Sequence, residues 1–406
     1  LQAAAAKDTV PSILHAPVQA VIYVTTLSGQ PYFNADHEAL RTQARRFVEQ
    51  SCRPHIDQWE REGQLPRRLH RAAAEAGLLQ IGFPEDCGGI PVPDLFFMVV
   101  LTEELARAGS GGLIASLMSH GIGTPPICAV GTAEQKARFA APVLAGEKIA
   151  ALAITEPSGG SDVANLKTRA VREGDHYRVN GSKTFITSGL RADFITTAVR
   201  TGGEGMGGIS LLVIEGDSPG LTRSPLEKMG WHASDTATLY FEDCRVPVAN
   251  RIGAENAGFM AIMLNFNQER LMLAAQAAAF AQVCFDESLA YARERQTFGK
   301  PLIRHQVIRH KLADMKMRID AIRAHLYLLT WQVSNGQMPV AEVCLLKNHA
   351  CTGLEWVANE AMQIFGGAGY LRGSVVERIY RETKVLTIGG GSLEVMKDLA
   401  ARQAGW

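Results

Sequence analysis

The sequence lacks the marks of a disulfide scaffold, a metal centre or a membrane protein. Its seven cysteines (Cys52, Cys87, Cys128, Cys244, Cys284, Cys344 and Cys351) are odd in number, scattered, and never paired as C-x-x-C. No Cys/His cluster has metal-ligand spacing, so no metal is expected. Free thiols point to a reducing compartment. No apolar run reaches the length of a bilayer span. The opening residues 1–30 have neither the basic start nor the cleavage pattern of a secretory signal, and Lys7 without arginines makes a poor transit peptide. Charge of either sign is missing in excess: 41 basic residues face 41 acidic ones. That balance gives nucleic acid and anionic membranes no global attraction, so an anionic ligand must be held by local groups. What is present is ordinary for a globular protein, 47% hydrophobic and 20% charged over 406 residues, enough chain for two or three domains.

Three textures succeed one another. Up to about Ile149, residues such as His37, Leu40, Ala44, Phe47 and Val48 recur at three-to-four spacing, and Leu95–Ala106 repeats the rhythm, which predicts helices. From Ala150 the segments are short and β-branched or aromatic: Ala151–Thr155, Thr168–Val171, His176–Val179, Phe194–Val199, Ile209–Ile214 and Thr238–Phe241. Asn180-Gly181 between two of them reads as a hairpin turn, and the density of short strands predicts a small barrel or sandwich. After Gly258, Met260–Arg295, Gln306–Gly336 and Val340–Phe365 read as long helices with stripes wide enough for a bundle. The βαβ alternation of a parallel nucleotide-binding sheet is absent. The expected division is an extension (1–33), a helical domain (34–149), a β-domain (150–258) and a helical bundle (259–406), an α+β multidomain architecture.

Four motifs could carry chemistry. Ala153-Ile154-Thr155-Glu156-Pro157-Ser158-Gly159-Gly160-Ser161-Asp162 runs a strand into a Gly/Ser turn. The backbone N–H groups of such a turn, with Ser161, suit a pyrophosphate, and Thr155 could hold a ring carbonyl; the same residues also make an ordinary turn. In Asn180-Gly181-Ser182-Lys183-Thr184-Phe185-Ile186-Thr187-Ser188-Gly189, Phe185 could cover a flat ring while Thr187 donates to a ring nitrogen. The competing reading is a hairpin with a core aromatic. The third motif, Tyr291-Ala292-Arg293-Glu294-Arg295-Gln296-Thr297-Phe298-Gly299-Lys300-Pro301-Leu302 followed by Gln306, ends a helix in basic residues. The helix dipole alone explains that placement, and Arg295 and Thr297 could equally contact phosphates. The fourth, Gln363-Ile364-Phe365-Gly366-Gly367-Ala368-Gly369-Tyr370, is a helix stop whose glycines also let backbone approach a bulky ligand.

In this order and spacing the motifs resemble the acyl-CoA dehydrogenase family. Lys228-Met229-Gly230-Trp231 with Asp235-Thr236, Val246-Pro247, Arg381-Glu382-Thr383-Lys384 and Gly389-Gly390-Gly391-Ser392 add to the likeness. It covers about nine-tenths of the chain, and the joint occurrence is specific where each motif alone is not. The resemblance implies an N-terminal helical domain, a middle β-barrel, a C-terminal four-helix bundle, and FAD between barrel and bundle. It implies that Ile154, Thr155, Gly160 and Ser161 line the flavin and its pyrophosphate, with Phe185, Ile186 and Thr187 at the ring. Arg295, Thr297, Phe298 and Gln306 would reach the dinucleotide across a subunit interface of a homotetramer, a dimer of dimers. Gln363, Ile364, Phe365, Gly366 and Gly367, with Ser392 and Glu394, would complete the site.

Removing a proton beside a thioester carbonyl needs a carboxylate in a water-poor site and hydrogen bonds to that carbonyl. Many members carry this Glu in a C-terminal Tyr-Glu-Gly-Thr motif; here Gly390 occupies its position. The long-chain and isovaleryl-type branches place it on the first long bundle helix, in Glu-Arg-Leu, and Phe266-Asn267-Gln268-Glu269-Arg270-Leu271 matches that pattern. Phe266, Glu269 and Leu273 share a helix face, so Glu269 is expected on an apolar stripe that raises its pKa. By the same resemblance Asn267 and Arg270, with Ser161, contact the acyl-CoA, and the backbone at Gly390 and Gly391 polarises the carbonyl. Gly389 replaces an aromatic residue and widens the acyl pocket toward a medium, long or branched chain.

The implied reaction is α,β-dehydrogenation of an acyl-CoA to the trans-2-enoyl-CoA, as in β-oxidation of fatty acids, with electron-transferring flavoprotein as acceptor. An acyl-CoA oxidase, or another flavin oxidase or monooxygenase on the same fold, is the alternative. The implied location is the bacterial cytoplasm, with the mitochondrial matrix as the other candidate.

Overall fold

Local capping sets the first helix. Asn34 accepts the N–H groups of Asp36 and His37 at 3.0 and 3.1 Å while His37 Nδ1 accepts the Asn34 N–H at 3.0 Å, satisfying donors that a helix start leaves orphaned. The computed structural model describes residues 32–406, apart from the side chains of Leu264, Asn265 and Asn267. Of the segment expected as an extension, residues 1–31 lie outside the described residues; Tyr32 stacks on Phe96, and Phe33 meets Tyr327 edge-on.

The N-terminal domain is helical: α1 (Ala35–Phe47), α2 (Ile56–Glu62), α3 (Arg67–Glu75), α4 (Phe96–Ala106), α5 (Gly111–Leu117), then four short helices, α6 (His120–Gly123), α7 (Pro125–Val130), α8 (Ala133–Gln135) and α9 (Ala141–Leu144). The middle domain has strands β1 (Ala150–Ala153), β2 (Arg169–Glu173), β3 (His176–Thr187), β4 (Phe194–Arg200), β5 (Ile209–Glu215), β6 (Leu221–Pro225), β7 (Thr236–Pro247) and β8 (Arg251–Ile252). They form one sheet in the order β6-β7-β3-β2-β4-β5-β8, with β1 parallel to β4. Both faces are covered. Ile195, Val199, Leu212 and Ile214 join Tyr177, Leu239 and Phe241 on one side. Phe194, Ala198, Leu211 and Val213 meet Phe139, Leu144 and the helical Ile262 on the other. That is why β4 and β5 are apolar without alternation.

One turn assignment fails. Asn180-Gly181 is not a hairpin but lies inside β3, at a register slip in its pairing with β7. The two-residue turn is Gly174-Asp175, joining β2 to β3. Asn180 exchanges hydrogen bonds with Asp243 across the slip, and a Cβ on Gly181 (φ +141°) would lie 2.7 Å from Thr168 Cα. Asn-Gly therefore serves a bulge and a close approach. Strand β6, with arginine and proline in an exposed run, gives no apolar signal and was not expected.

The C-terminal domain holds α10 (Gly258–Glu294), α11 (Gln306–Ser334), α12 (Val340–Phe365), α13 (Val375–Ile388) and α14 (Leu393–Ala404). Buried Ala274, Ala277, Ala278 and Ala281 of α10 and Ala350, Ala358 and Ala361 of α12 leave small side chains on these packed helices. The three domains meet at two buried carboxylates. Glu382 on α13 accepts the N–H groups of Gly111 and Trp231 at 2.8 and 3.1 Å. Glu60 on α2 accepts from Ser110 Oγ and the Ala233 N–H and pairs with Arg381. Among the described residues no single helix is long and apolar enough to cross a membrane.

Candidate active site

The first two motifs lie side by side. The Thr184 N–H donates to the Thr155 carbonyl at 2.8 Å, and a fully buried Lys183 ammonium donates to Glu156 at 2.8 Å and to the Ile154 carbonyl at 2.9 Å. Glu156 also accepts the N–H groups of Lys167 and Thr168. Burial pushes its carboxyl up, but Lys183 and these donors outweigh burial and hold it below the usual range. Ile154 and Thr155 are thereby fixed beside Phe185, Ile186 and Thr187. A second register slip, between Lys183 and Ile186, turns Phe185 outward at φ +60° with 69% of its surface exposed. Ile186 stays in the core and Thr187 is half-buried. An aromatic side chain in the left-handed region is strained, and its free ring suits a flat ligand. Gly160 and Ser161 lie in the exposed turn next to Thr155.

The third and fourth motifs are joined by Tyr291 and Phe365, stacked at 4.2 Å and 13°. Past the end of α10, Arg295 and Gln306 are exposed, Thr297 Oγ1 lies 3.1 Å from His305 Nε2, and Phe298 is 95% exposed. At the end of α12, Gln363 is exposed and Ile364 buried. Gly366 takes φ +59°, and a Cβ on Gly366 or Gly367 would touch nothing within 4 Å. Ser392 caps α14 by accepting the Val395 N–H, and Glu394 is exposed. Among the described residues no hydrogen bond links this pair of motifs to the first pair. An exposed strained aromatic, a hydroxyl-bearing turn and a side-chain-free backbone surface fit a flavin dinucleotide.

Glu269 lies on α10 with Leu273 one turn on. It is half-buried, and no hydrogen bond or ion pair reaches it among the described residues. Burial lifts its carboxyl from 4.5 to about 7, against the lowering effect of Arg270 and Lys347. Asn267 lies outside the described side chains. Arg270 is buried, and its Nε donates to the Gly390 carbonyl at 3.4 Å. Lys347 donates to the Gly391 carbonyl at 2.7 Å. The N–H groups of Gly390 and Gly391 find no acceptor among the described residues. Gly390 takes φ +66°, a conformation in which a side chain is strained, and a Cβ there would lie 2.4 Å from Leu273 Cδ1, the tip of a side chain that would have to shift.

Sequence reasoning missed Lys347 and the Glu156–Lys183 pair. Lys347 carried a readable signal: helical spacing puts it on one face with Val343, Ala350, Cys351 and Leu354, where a lysine is out of place. Lys183 and Glu156 are 27 positions apart, and only the fold pairs them.

Comparison with known proteins agrees with this geometry. The acyl-CoA dehydrogenase N-terminal, middle and C-terminal domain models match residues 34–147, 151–244 and 256–405. Acyl-CoA dehydrogenase AFT10-1 of Alternaria alternata is 38% identical over 399 residues, covering 91% of this chain and 92% of that protein. The mitochondrial long-chain specific acyl-CoA dehydrogenase of Rattus norvegicus is 35% identical, covering 94% and 89%. The crystal structure of acyl-CoA dehydrogenase from Geobacillus kaustophilus superposes with a TM-score of 0.89 at 39% identity, covering 93% and 100%. With its helical, sheet and helical domains each matched in order, the chain belongs to the acyl-CoA dehydrogenase family, whose members are FAD-dependent oxidoreductases.

Proposed function

We propose that the chain dehydrogenates an acyl-CoA thioester between Cα and Cβ, with Glu269 as the base. The observations that carry this reading are a helix-borne carboxyl lifted to about 7, free of ion pairs among the described residues, and a glycine turn gripped by the adjacent Arg270 whose Gly390 and Gly391 N–H groups find no acceptor among those residues. The Gly390 N–H donates to the thioester carbonyl and stabilises the charge that develops there as Glu269 Oε takes the α-proton. Bound FAD supplies the acceptor for the β-hydrogen as hydride. Thr155, Phe185 and Thr187 hold the ring, Gly160 and Ser161 hold the pyrophosphate, and Arg295, Thr297, Phe298 and Gln306 serve the dinucleotide of a neighbouring subunit. Gln363–Gly367, Ser392 and Glu394 border the same site. Asn267, Arg270 and Ser161 orient the acyl-CoA. A base near neutrality is matched to its task, so flavin reduction rises with pH through about 7.

The test is Glu269→Gln. The variant should keep FAD and acyl-CoA binding and lose flavin bleaching by several orders of magnitude; near-normal bleaching sinks the assignment. Side-chain-free Gly389 favours a medium, long or branched acyl chain, to be scored with a panel of thioesters. Exposed Phe298 and Tyr370 favour assembly into the homotetramer, read by sedimentation. Free, buried cysteines favour a reducing compartment, the bacterial cytoplasm. Electron-transferring flavoprotein is the proposed acceptor, and fast reoxidation by air would point to an oxidase instead.

A further inference from the structure

We infer that Lys347 is a positioning residue: it tethers the Gly389–Gly391 turn by its backbone and sets a buried positive charge next to the Glu269 carboxyl. The inference rests on the role proposed for Glu269. Lys347 is fully buried on α12 among Val343, Leu346, Ala350 and Leu354, where an ammonium is costly to fold. Its one hydrogen bond among the described residues is to the Gly391 carbonyl at 2.7 Å, one acceptor for three donors. So poor a return in stability marks the lysine as retained for its charge and its reach.

The contacts form a closed chain. Lys347 holds Gly391, Arg270 reaches the carbonyl of the adjoining Gly390, and a Cβ on Gly390 would strike Leu273, one helical turn beyond Glu269. With both carbonyls drawn to cations, the turn is pinned while the N–H groups of Gly390 and Gly391 find no acceptor among the described residues. The charged and titratable groups facing Lys347 are Glu269 and Arg270 on α10 and Cys344 and Cys351 on α12 itself, with Glu355 acting on Cys351. Lys347 and Arg270 both lower the Glu269 carboxyl against its burial. Without Lys347 the base would stay protonated to a higher pH, and the turn would lose its anchor.

The experiment uses the full-length FAD-loaded protein. The Glu269 carboxyl is titrated by infrared difference spectroscopy, its band assigned by its loss in Glu269→Gln, alongside pH profiles of flavin bleaching. Lys347→Gln keeps a donor for Gly391 and removes the charge; the carboxyl midpoint should move up by about one pH unit with KM nearly unchanged. Lys347→Met should show the same shift plus a several-fold higher KM, and Lys347→Arg should restore the midpoint. An unmoved midpoint in folded, flavin-bearing Lys347→Gln overturns the inference. If that variant does not fold, a one-unit rise in Lys347→Arg, which keeps the charge, overturns it as well. Bleaching that survives Glu269→Gln defeats the base assignment instead, so the two failures are told apart.

Discussion

A carboxyl poised near neutrality weakens the fold that holds it. Glu269 has a folded value of about 7 against 4.5 in the unfolded chain, so the native state binds the extra proton between those limits. Stability tied to this group is therefore intact below 4.5 and falls as pH climbs through 7. Discounted for partial exposure, the loss is on the order of 2 kcal/mol. Glu269→Gln should melt higher than the parent at pH 8 and coincide with it near pH 4.5 by calorimetry. Equal melting at both pH values would show that the carboxyl is solvated like any surface acid. Gly390 supplies the complementary case. Adding Gly390→Glu to Glu269→Gln should not restore bleaching, because the new side chain meets both a positive φ and Leu273. Recovered turnover would mean that the turn is more pliant than its contacts imply.

Strand β3 ties the first two motifs together through irregularities. Its slips at Gly181 and at Phe185 bend one strand twice, while Lys183 between them bolts it to the segment after β1. Lys183→Met would strand Glu156 in the core, at a cost of roughly 3–5 kcal/mol. Urea denaturation should show that loss together with weakened FAD retention; a small loss with normal flavin content would refute the coupling. The same strand shows what the chain makes legible. The periodicities announced the three textures and the long bundle helices within a few residues, because apolar stripes follow directly from which face is buried. Asn180-Gly181 misled because a local preference for positive φ serves a bulge as readily as a hairpin. Glu269 is a candidate base through its neighbours Arg270 and Leu271, whereas the backbone grips of Lys347 and Arg270 on Gly391 and Gly390 depend on three elements meeting and leave no local trace.

At the scale of the whole molecule, Glu382 binds the domains into one unit. It takes N–H groups from α5 and from the loop at Trp231, and burial first, then Glu60, raises its carboxyl to about 8. Glu382→Ala leaves two buried donors unpaired, at about 1–3 kcal/mol each, and should split a single calorimetric transition into separate ones. One unbroken transition at a lower temperature would mean that apolar packing alone couples the domains. Helix α10 crosses this unit as one 37-residue rod, about 55 Å long at 1.5 Å per residue. Ile262 near its start packs on the sheet, and Tyr291 near its end stacks on Phe365. The rod thus works as a screw whose pitch must stay in phase. One residue inserted between Ile262 and Glu269 turns the two parts of the rod by about 100° relative to each other, so Ile262 on the sheet and the stretch from Glu269 to Tyr291 in the bundle cannot both keep their contacts. Such an insertion should lower the melting temperature by calorimetry; unchanged melting and flavin bleaching would show that sheet and bundle do not depend on the phase of the rod.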